Sequence, residues 1–160
     1  MLTVAAGNVV VADPPNKRLT IYSLTGKTLR NVNCPLLSNN EVTICAGHGD
    51  DVIIADFETN KVFRFNITTG NVMWTFTHPD RPQGLVYYRD YILVAAYNSS
   101  VIYTLSYATG EKVSEMRGDD IGHGSIYSLS VTGNTLVIPE WWNRKLFFYK
   151  LNEKYEPHSY

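Results

Sequence analysis

The feature that most constrains this chain is one plan written four times. It is clearest in DVIIADFETNKVFRFNITTGNVMWTF, from Asp51 to Phe76: an apolar run, an acidic residue, a turn, a second apolar run, a glycine and a last alternating run. The acidic position, or its equivalent, falls at Asp13, Asp56, Ala96 and Glu140, with spacings of 43, 40 and 44 residues. A second marker, the turn glycine, falls at Gly26, Gly70 and Gly110, with spacings of 44 and 40, and Asn152 takes its place in the fourth copy. Gly, and after it Asn, accept left-handed backbone most readily. Two independent markers keeping one period define a repeat protein.

A period of about 40 to 45 residues fits either helical arrays or four-stranded sheets, and the side chains decide between them. Ahead of the acidic position stand Val9 to Ala12, Val52 to Ala55, Ile92 to Ala95 and Leu136 to Pro139, short β-branched runs that read as strands buried on both faces. Six residues beyond it come Leu19, Val62, Ile102 and Leu146. Apolar residues follow at Tyr22, Phe65, Leu105 and Tyr149 and at Leu24, Ile67, Tyr107 and Leu151, separated by Ser23, Asn66, Ser106 and Lys150. That period of two is a strand's and excludes helix.

Each copy also has a preceding strand (Leu2 to Ala5, Glu41 to Ala46, Gly84 to Tyr88, Ile126 to Val131) and a following one after the glycine. Gly7-Asn8, Arg89-Asp90 and Gly133-Asn134 read as tight hairpin joins, and Gly47 to Asp50 as a looser one. A lone sheet apolar on both faces is unstable, so the sheets must stack around an axis. The expected fold is therefore all-β, a β-propeller of four four-stranded antiparallel blades in one domain, at about residues 1–33, 40–77, 83–117 and 125–160. Four blades either close as a ring within one chain or stand as half of an eight-bladed homodimer. The closed monomer is expected, because Leu2 to Ala5 starts at the axis and the last strand, near Tyr155 to Tyr160, ends at the rim. An open arc would expose members of Val9 to Val11, Tyr22, Leu24, Leu136 to Ile138, Tyr149 and Leu151.

The stretches NVVVADPPNKRLTIYSLTGK, VIIADFETNKVFRF and PQGLVYYRDYILVAAYNSSVIYTL resemble NHL-type blades, whose pattern is P-x-G, strand, acidic residue, turn Asn and strand. TTGNVMWTF and ATGEKVSEM are also similar to quinoprotein-type and YVTN-type blades. The sequence departs from the NHL pattern at Ala96 and at Pro139-Glu140, and only the third copy has a clear P-x-G. The resemblance implies a propeller that binds protein or RNA through its top face, the end carrying the loops between second and third strands.

Charge names no partner: 14 basic against 15 acidic residues leave a net charge of −1. No apolar stretch approaches the roughly 20 residues of a membrane helix, and the start MLTVAAGN lacks a signal-peptide pattern, so no membrane partner and a cytoplasmic setting are expected. The sequons at Asn66 and Asn98 are read as chance triplets. Cys34 and Cys45 lack a C-x-x-C spacing and are expected as two free thiols.

Topology places Asp13, Asp56, His78, Asp80, Asp119, Asp120, His123 and Glu140 on the top face, a composition able to bind a divalent cation. An Asp ending a strand more often accepts hydrogen bonds from the following turn, once per blade, so neither metal nor cofactor is expected. His48 and His123, each within Gly-His-Gly, fall on opposite faces and do not pair. No nucleophile elbow, Walker loop or H-E-x-x-H is present. Gluconolactonase-like propellers are the nearest enzymatic analogy, yet the innermost strands offer mainly Glu41. The chain is expected not to be an enzyme.

After the acidic position stand Pro14, Phe57, Tyr97 and Trp141, the last followed by Trp142. Beside them lie Lys17, Arg18, Lys61, Arg81, Arg144 and Lys145, and aromatic residues with Arg compose interaction hot spots. The expected function is a non-enzymatic module binding a protein or peptide through Phe57, Tyr97, Trp141, Trp142, Arg18, Lys61, Arg81 and Arg144. The alternative is single-stranded RNA stacked on those rings, and a third reading is a metal-dependent lactonase or hydrolase. Against RNA, seven acids share the face with the six basic residues: Asp13, Asp56, Glu58, Asp80, Asp119, Asp120 and Glu140.

Overall fold

The structure, a computed structural model, describes residues 1–97, 99–117, 125–140, 144–151 and 157–158. These form four antiparallel four-stranded sheets whose strand order follows the sequence. Sheet 1 holds β1 (Leu2–Ala5), β2 (Asn8–Asp13), β3 (Arg18–Tyr22) and β4 (Thr28–Asn33). Sheet 2 holds β5 (Val42–Ala46), β6 (Asp51–Asp56), β7 (Lys61–Asn66) and β8 (Val72–Thr77). Sheet 3 holds β9 (Pro82–Tyr88), β10 (Tyr91–Ala96), β11 (Val101–Ser106) and β12 (Lys112–Arg117). Sheet 4 holds β13 (Ser130–Thr132), β14 (Thr135–Glu140), β15 (Lys145–Leu151) and β16 (Pro157–His158).

Three kinds of turn set the register. Ala6 and Gly7, both at positive φ (51° and 71°), make the two-residue hairpin between β1 and β2, one residue earlier than the sequence pattern places it. At the glycine turn, Gly26, Gly70 and Gly110 have φ of 84°, 73° and 75°, and their N–H groups donate to the carbonyls of Ser23, Asn66 and Ser106. A β-bulge adjoins each of these turns, its extra residue, Leu29, Met73 or Val113, lying on the strand that follows. In sheet 2 the Asn66 side chain reinforces the turn, accepting from the backbone N–H groups of Thr68 and Thr69 and donating to Asp51. The third turn follows the acidic position, where Lys17, Asn60 and Arg144 take left-handed φ of 52°, 58° and 52°. Asn suits that geometry, whereas Lys and Arg are held there by the turn itself.

By contacts the chain divides into two compact units, Met1–Pro79 and Asp80–Tyr160. In the first, the face of sheet 1 bearing Val10, Ala12, Leu19, Ile21 and Val32 packs on the face of sheet 2 bearing Ile44, Val52, Ile54, Phe63 and Phe65. In the second, Leu93, Ala95, Ile102 and Met116 of sheet 3 pack on Leu136, Ile138, Tyr149 and Leu151 of sheet 4, with Ile126 and Leu129 from the preceding link. Gly84, in the P-x-G segment, permits that link's approach: a Cβ there would stand 3.0 Å from Ala95 Cβ and 3.2 Å from Leu129 Cγ. Beside the first core, sheet 2 carries an ion pair in which Arg64 Nε donates to Asp51 at 2.8 Å.

Several sequence expectations need correcting. Leu24 is 70% exposed, because β3 ends at Tyr22 and leaves it in the turn. Its counterparts Ile67, Tyr107 and Leu151 are buried and fixed by N–H bonds to the carbonyls of Asp50, Asp90 and Asn134, and no equivalent backbone bond holds Leu24. Leu146 is exposed although Leu19, Val62 and Ile102 at the same position are fully buried, whereas Leu136, Ile138, Tyr149 and Leu151, among the residues an open arc could expose, belong to the core. The strand expected over Ile126 to Val131 begins only at Ser130, with Ile126 making an isolated bridge to Glu140. Glu41 lies outside β5 and is exposed. Asn98, Asn152 and all but two residues of the last expected strand lie outside the described residues.

Asp56 joins two parts of the first unit. Fully buried, it accepts backbone N–H bonds from Glu58 (3.1 Å) and Thr59 (3.0 Å) in its own turn, and from Ser38 (2.6 Å) in the link between sheets 1 and 2. Asp56→Ala strands those donors and should lower unfolding free energy by about 2–3 kcal/mol. Urea denaturation checks this, and a loss below about 0.5 kcal/mol would remove Asp56 from that role.

Candidate functional site

In every sheet the second strand runs toward the end that carries the third turn and the links between sheets, and this end is the top of each unit. At the top of the first unit the carboxylates are already engaged. Asp13 accepts from Asn16 Nδ2 at 3.0 and 2.9 Å and from Arg18 Nε at 2.8 Å. The Asn16 hydrogen bond first, then that from Arg18, hold its pKa below the ordinary 3.8. Asp56 is occupied by its three backbone donors. The cations are drawn in as well, with Arg18 paired to Asp13 and Lys17 Nζ donating to the Leu37 carbonyl. Phe57 and Lys61 are half-buried, and Lys61 stands opposite Asp56 in the β6–β7 ladder. His78 is buried, its ring edge-on to Phe76 and its N–H bonded to the Asn60 carbonyl at 2.7 Å.

The link between sheets also carries Cys34, fully buried, whose thiol burial pushes its pKa up to about 11. Neither Cys34 nor Cys45 is in a disulfide. Among the described residues, no three of His, Cys, Asp and Glu stand close enough to hold a metal ion.

The top of the second unit is built differently. Tyr97, just beyond β10, is half-buried, and its N–H bonds to the Arg81 carbonyl at 2.8 Å. Its ring meets that of Tyr127 edge to face, with centroids 5.2 Å apart at 86°. The Tyr127 hydroxyl shares a hydrogen bond with Tyr97, which, with partial desolvation, holds its pKa above the ordinary 10. Beside this pair lies a pocket of about 340 Å³ lined by Tyr127, Pro139, Glu140, Arg144, Lys145 and Leu146. Glu140 is buried at its base, while Arg144 and Lys145 are exposed at its rim.

Of the residues singled out in the sequence, Tyr97 and Arg81 are thus joined by a backbone hydrogen bond, and Arg144 shares a pocket with Glu140 and Lys145. Arg18, Phe57 and Lys61 belong to the first unit, and Trp141, Trp142, Asp119, Asp120 and His123 lie outside the described residues. Tyr127 escaped the sequence reading. It was counted within a strand, and the signal that marks it is its place in the long link before β13, where the strand pattern has not yet begun.

No protein-family model matches the sequence, and no curated protein matches it. Among solved structures the chain is similar to the computationally designed Ika4 protein, with 16% identity, a TM-score of 0.69, and 94% of this chain and 89% of that one covered. It is also similar to BamB from Moraxella catarrhalis (23% identity, TM-score 0.68, 94% and 42% covered) and to Hsv2 from Kluyveromyces lactis (11%, 0.68, 96% and 45%). All three are propeller proteins. The four sheets are β-propeller blades. At these identities the likeness concerns the fold, and the chain spans less than half the length of BamB and Hsv2.

Asp13 gives the top of blade 1 a sign that can be checked. Its folded pKa is depressed, so its contribution is complete above the unfolded value of 3.8 and is lost as pH falls through the lower folded value. Asp13→Asn should be less stable than the parent at neutral pH, with the gap closing as urea titrations are stepped below 3.8. A gap independent of pH would show that no titrating interaction is made there.

Proposed function

We propose that the chain is a non-enzymatic interaction module that binds a protein or peptide through the loops at the top of its blades. The observation that carries this reading is the Tyr97–Tyr127 pair beside the pocket rimmed by Arg144 and Lys145. Tyr and Arg dominate binding hot spots because a rigid ring or planar fork gives much contact for little lost rotamer freedom. The edge-to-face pairing already fixes both rings, so little ordering remains to oppose binding. An NHL-type membership is part of this proposal, supported by Asn60 at the left-handed turn and by the close approach at Gly84. So is a cytoplasmic setting, with two thiols outside any disulfide.

The RNA reading has weaker support, since Lys17 and Arg18 are committed to internal partners and the pocket that Arg144 and Lys145 line also holds the carboxylate of Glu140. A metal-dependent hydrolase has less, because the strand-ending carboxylates Asp13 and Asp56 are taken up by turn donors.

Selection of a random peptide library on the immobilised protein tests the first reading. For the selected peptides, Tyr97→Ala, Tyr127→Ala and Arg144→Ala should each weaken binding by about 2 kcal/mol, with Lys112→Ala at the other end of blade 3 as control. Affinity that survives all three and fails with Lys112→Ala would place the site at the wrong end. A salt-sensitive shift of a single-stranded RNA pool, with no peptide selected, would favour RNA instead.

Catalysis has its own check. Lactones, esters and phosphoesters offered with calcium, magnesium, manganese or zinc should show no turnover. Activity abolished by changing Glu41, Asp56 or Glu140 would overturn the non-enzymatic reading.

A further inference from the structure

The two units contain the same joint, and its halves can be defined by counting from the residue that ends the second strand. On the leading side, the positions three and one before that residue and six after it are Val10, Ala12 and Leu19 in blade 1 and Leu93, Ala95 and Ile102 in blade 3. On the receiving side, the positions four and two before it and seven and nine after it are Val52, Ile54, Phe63 and Phe65 in blade 2. In blade 4 they are Leu136, Ile138, Phe147 and Tyr149. Leading face meets receiving face in both units.

The same count identifies a leading face on blade 4 and a receiving face on blade 1. Blade 4 leads with Val137, Pro139, Leu146 and, eight after, Phe148, which are cross-strand partners in pairs. Blade 1 receives with Val9, Val11, Thr20 and Tyr22, extended by Leu2 and Val4 on β1. Thr20 apart, the named residues of both faces are apolar, and each face carries exposed side chains: Leu146 and Phe148 are 60% and 62% exposed, Leu2 and Val4 62% and 53%.

We propose that these two faces join one copy of the chain to a second, blade 4 of each copy leading onto blade 1 of the other. Three observations favour a second copy over any other occupant. The surfaces are the two different halves of a joint the chain already makes twice, so each copy supplies what the other lacks, and two such contacts close on themselves. In BamB and Hsv2, of which this chain spans 42% and 45%, about as much chain again accompanies the matched part. Joining also covers the exposed Leu146 and Phe148 on one face and Leu2 and Val4 on the other, apolar surface of the kind soluble chains avoid.

The pocket acquires a meaning from this. Pro139 and Leu146 of its lining are leading-face residues, equivalent to Ala12 and Leu19, which blade 2 covers in the first unit. The second copy's blade 1 therefore forms the missing wall, and the site at the top of blade 4 is incomplete in one chain. This inference does not rest on the peptide-binding reading.

Light scattering at micromolar concentration should give about 36 kDa, twice the chain's 18.1 kDa. Phe148→Asp and Val4→Asp change exposed residues, one on each face, and each should halve that mass while leaving the far-ultraviolet β-sheet spectrum intact. Mixing the two variants restores one sound joint per pair and should bring back part of the larger species. A parent at 18.1 kDa, a ring closed within one chain, would overturn the proposal. So would a dimer indifferent to both substitutions, or an open series of larger species. If either variant misfolds, Leu146→Lys and Leu2→Lys make the same comparison.

Discussion

Everything in this molecule follows from sheets that are apolar on both faces. A sheet with one wet face can stand alone on a core, but these cannot, since each apolar side removed from water is worth about 25 cal/mol per Å². The chain meets that demand by offset. Within each unit the residues three and one before the strand end face one way, and those four and two before it face the other. Strict alternation makes one strand serve two neighbours, and it also makes register unforgiving, because a slip of one residue exchanges the two faces.

Register is held at the top of blades 1 and 2 by short-range polar chemistry. Asp56 shows how: a buried carboxylate at a strand end collects backbone donors from its own turn and from the link beyond. Asp13 does the same work with Asn16 and Arg18. In this row of acids, which looks in sequence like a ligand cluster, Asp13 and Asp56 are therefore internal wiring. The proposed recognition rests instead on the pairing of Tyr97 with Tyr127 and the cations of the pocket beside it.

The fold was legible because period and polarity are local properties. The strands bearing Val9 to Ala12, Val52 to Ala55 and Ile92 to Ala95, and the turns at Gly26, Gly70 and Gly110, stand where their pattern put them. Errors arose where a position's fate depends on a neighbour absent from the local pattern. Leu146 matches Leu19 residue for residue, yet only Leu19 has a blade of its own unit against it. Leu24 matches Ile67, yet its glycine turn is one residue shorter, with Gly26 bonding back to Ser23 where Gly70 bonds to Asn66, and Leu24 is left in the turn. Tyr127 was hidden for a further reason, as it belongs to an irregular link whose course is set by what it crosses at Gly84.

Each sheet is made from consecutive strands, so none of its ladders waits for a distant part of the chain. During synthesis the hydrogen bonds of blade 1 can all form once Asn33 has emerged, while its leading face stays wet until β7 brings Phe63 and Phe65. Within each unit the later blade covers its predecessor and exposes a surface of its own. A chain built this way always has one newly wet face at its growing edge, and lengthening it by one period moves that face onward without rewriting any residue behind it.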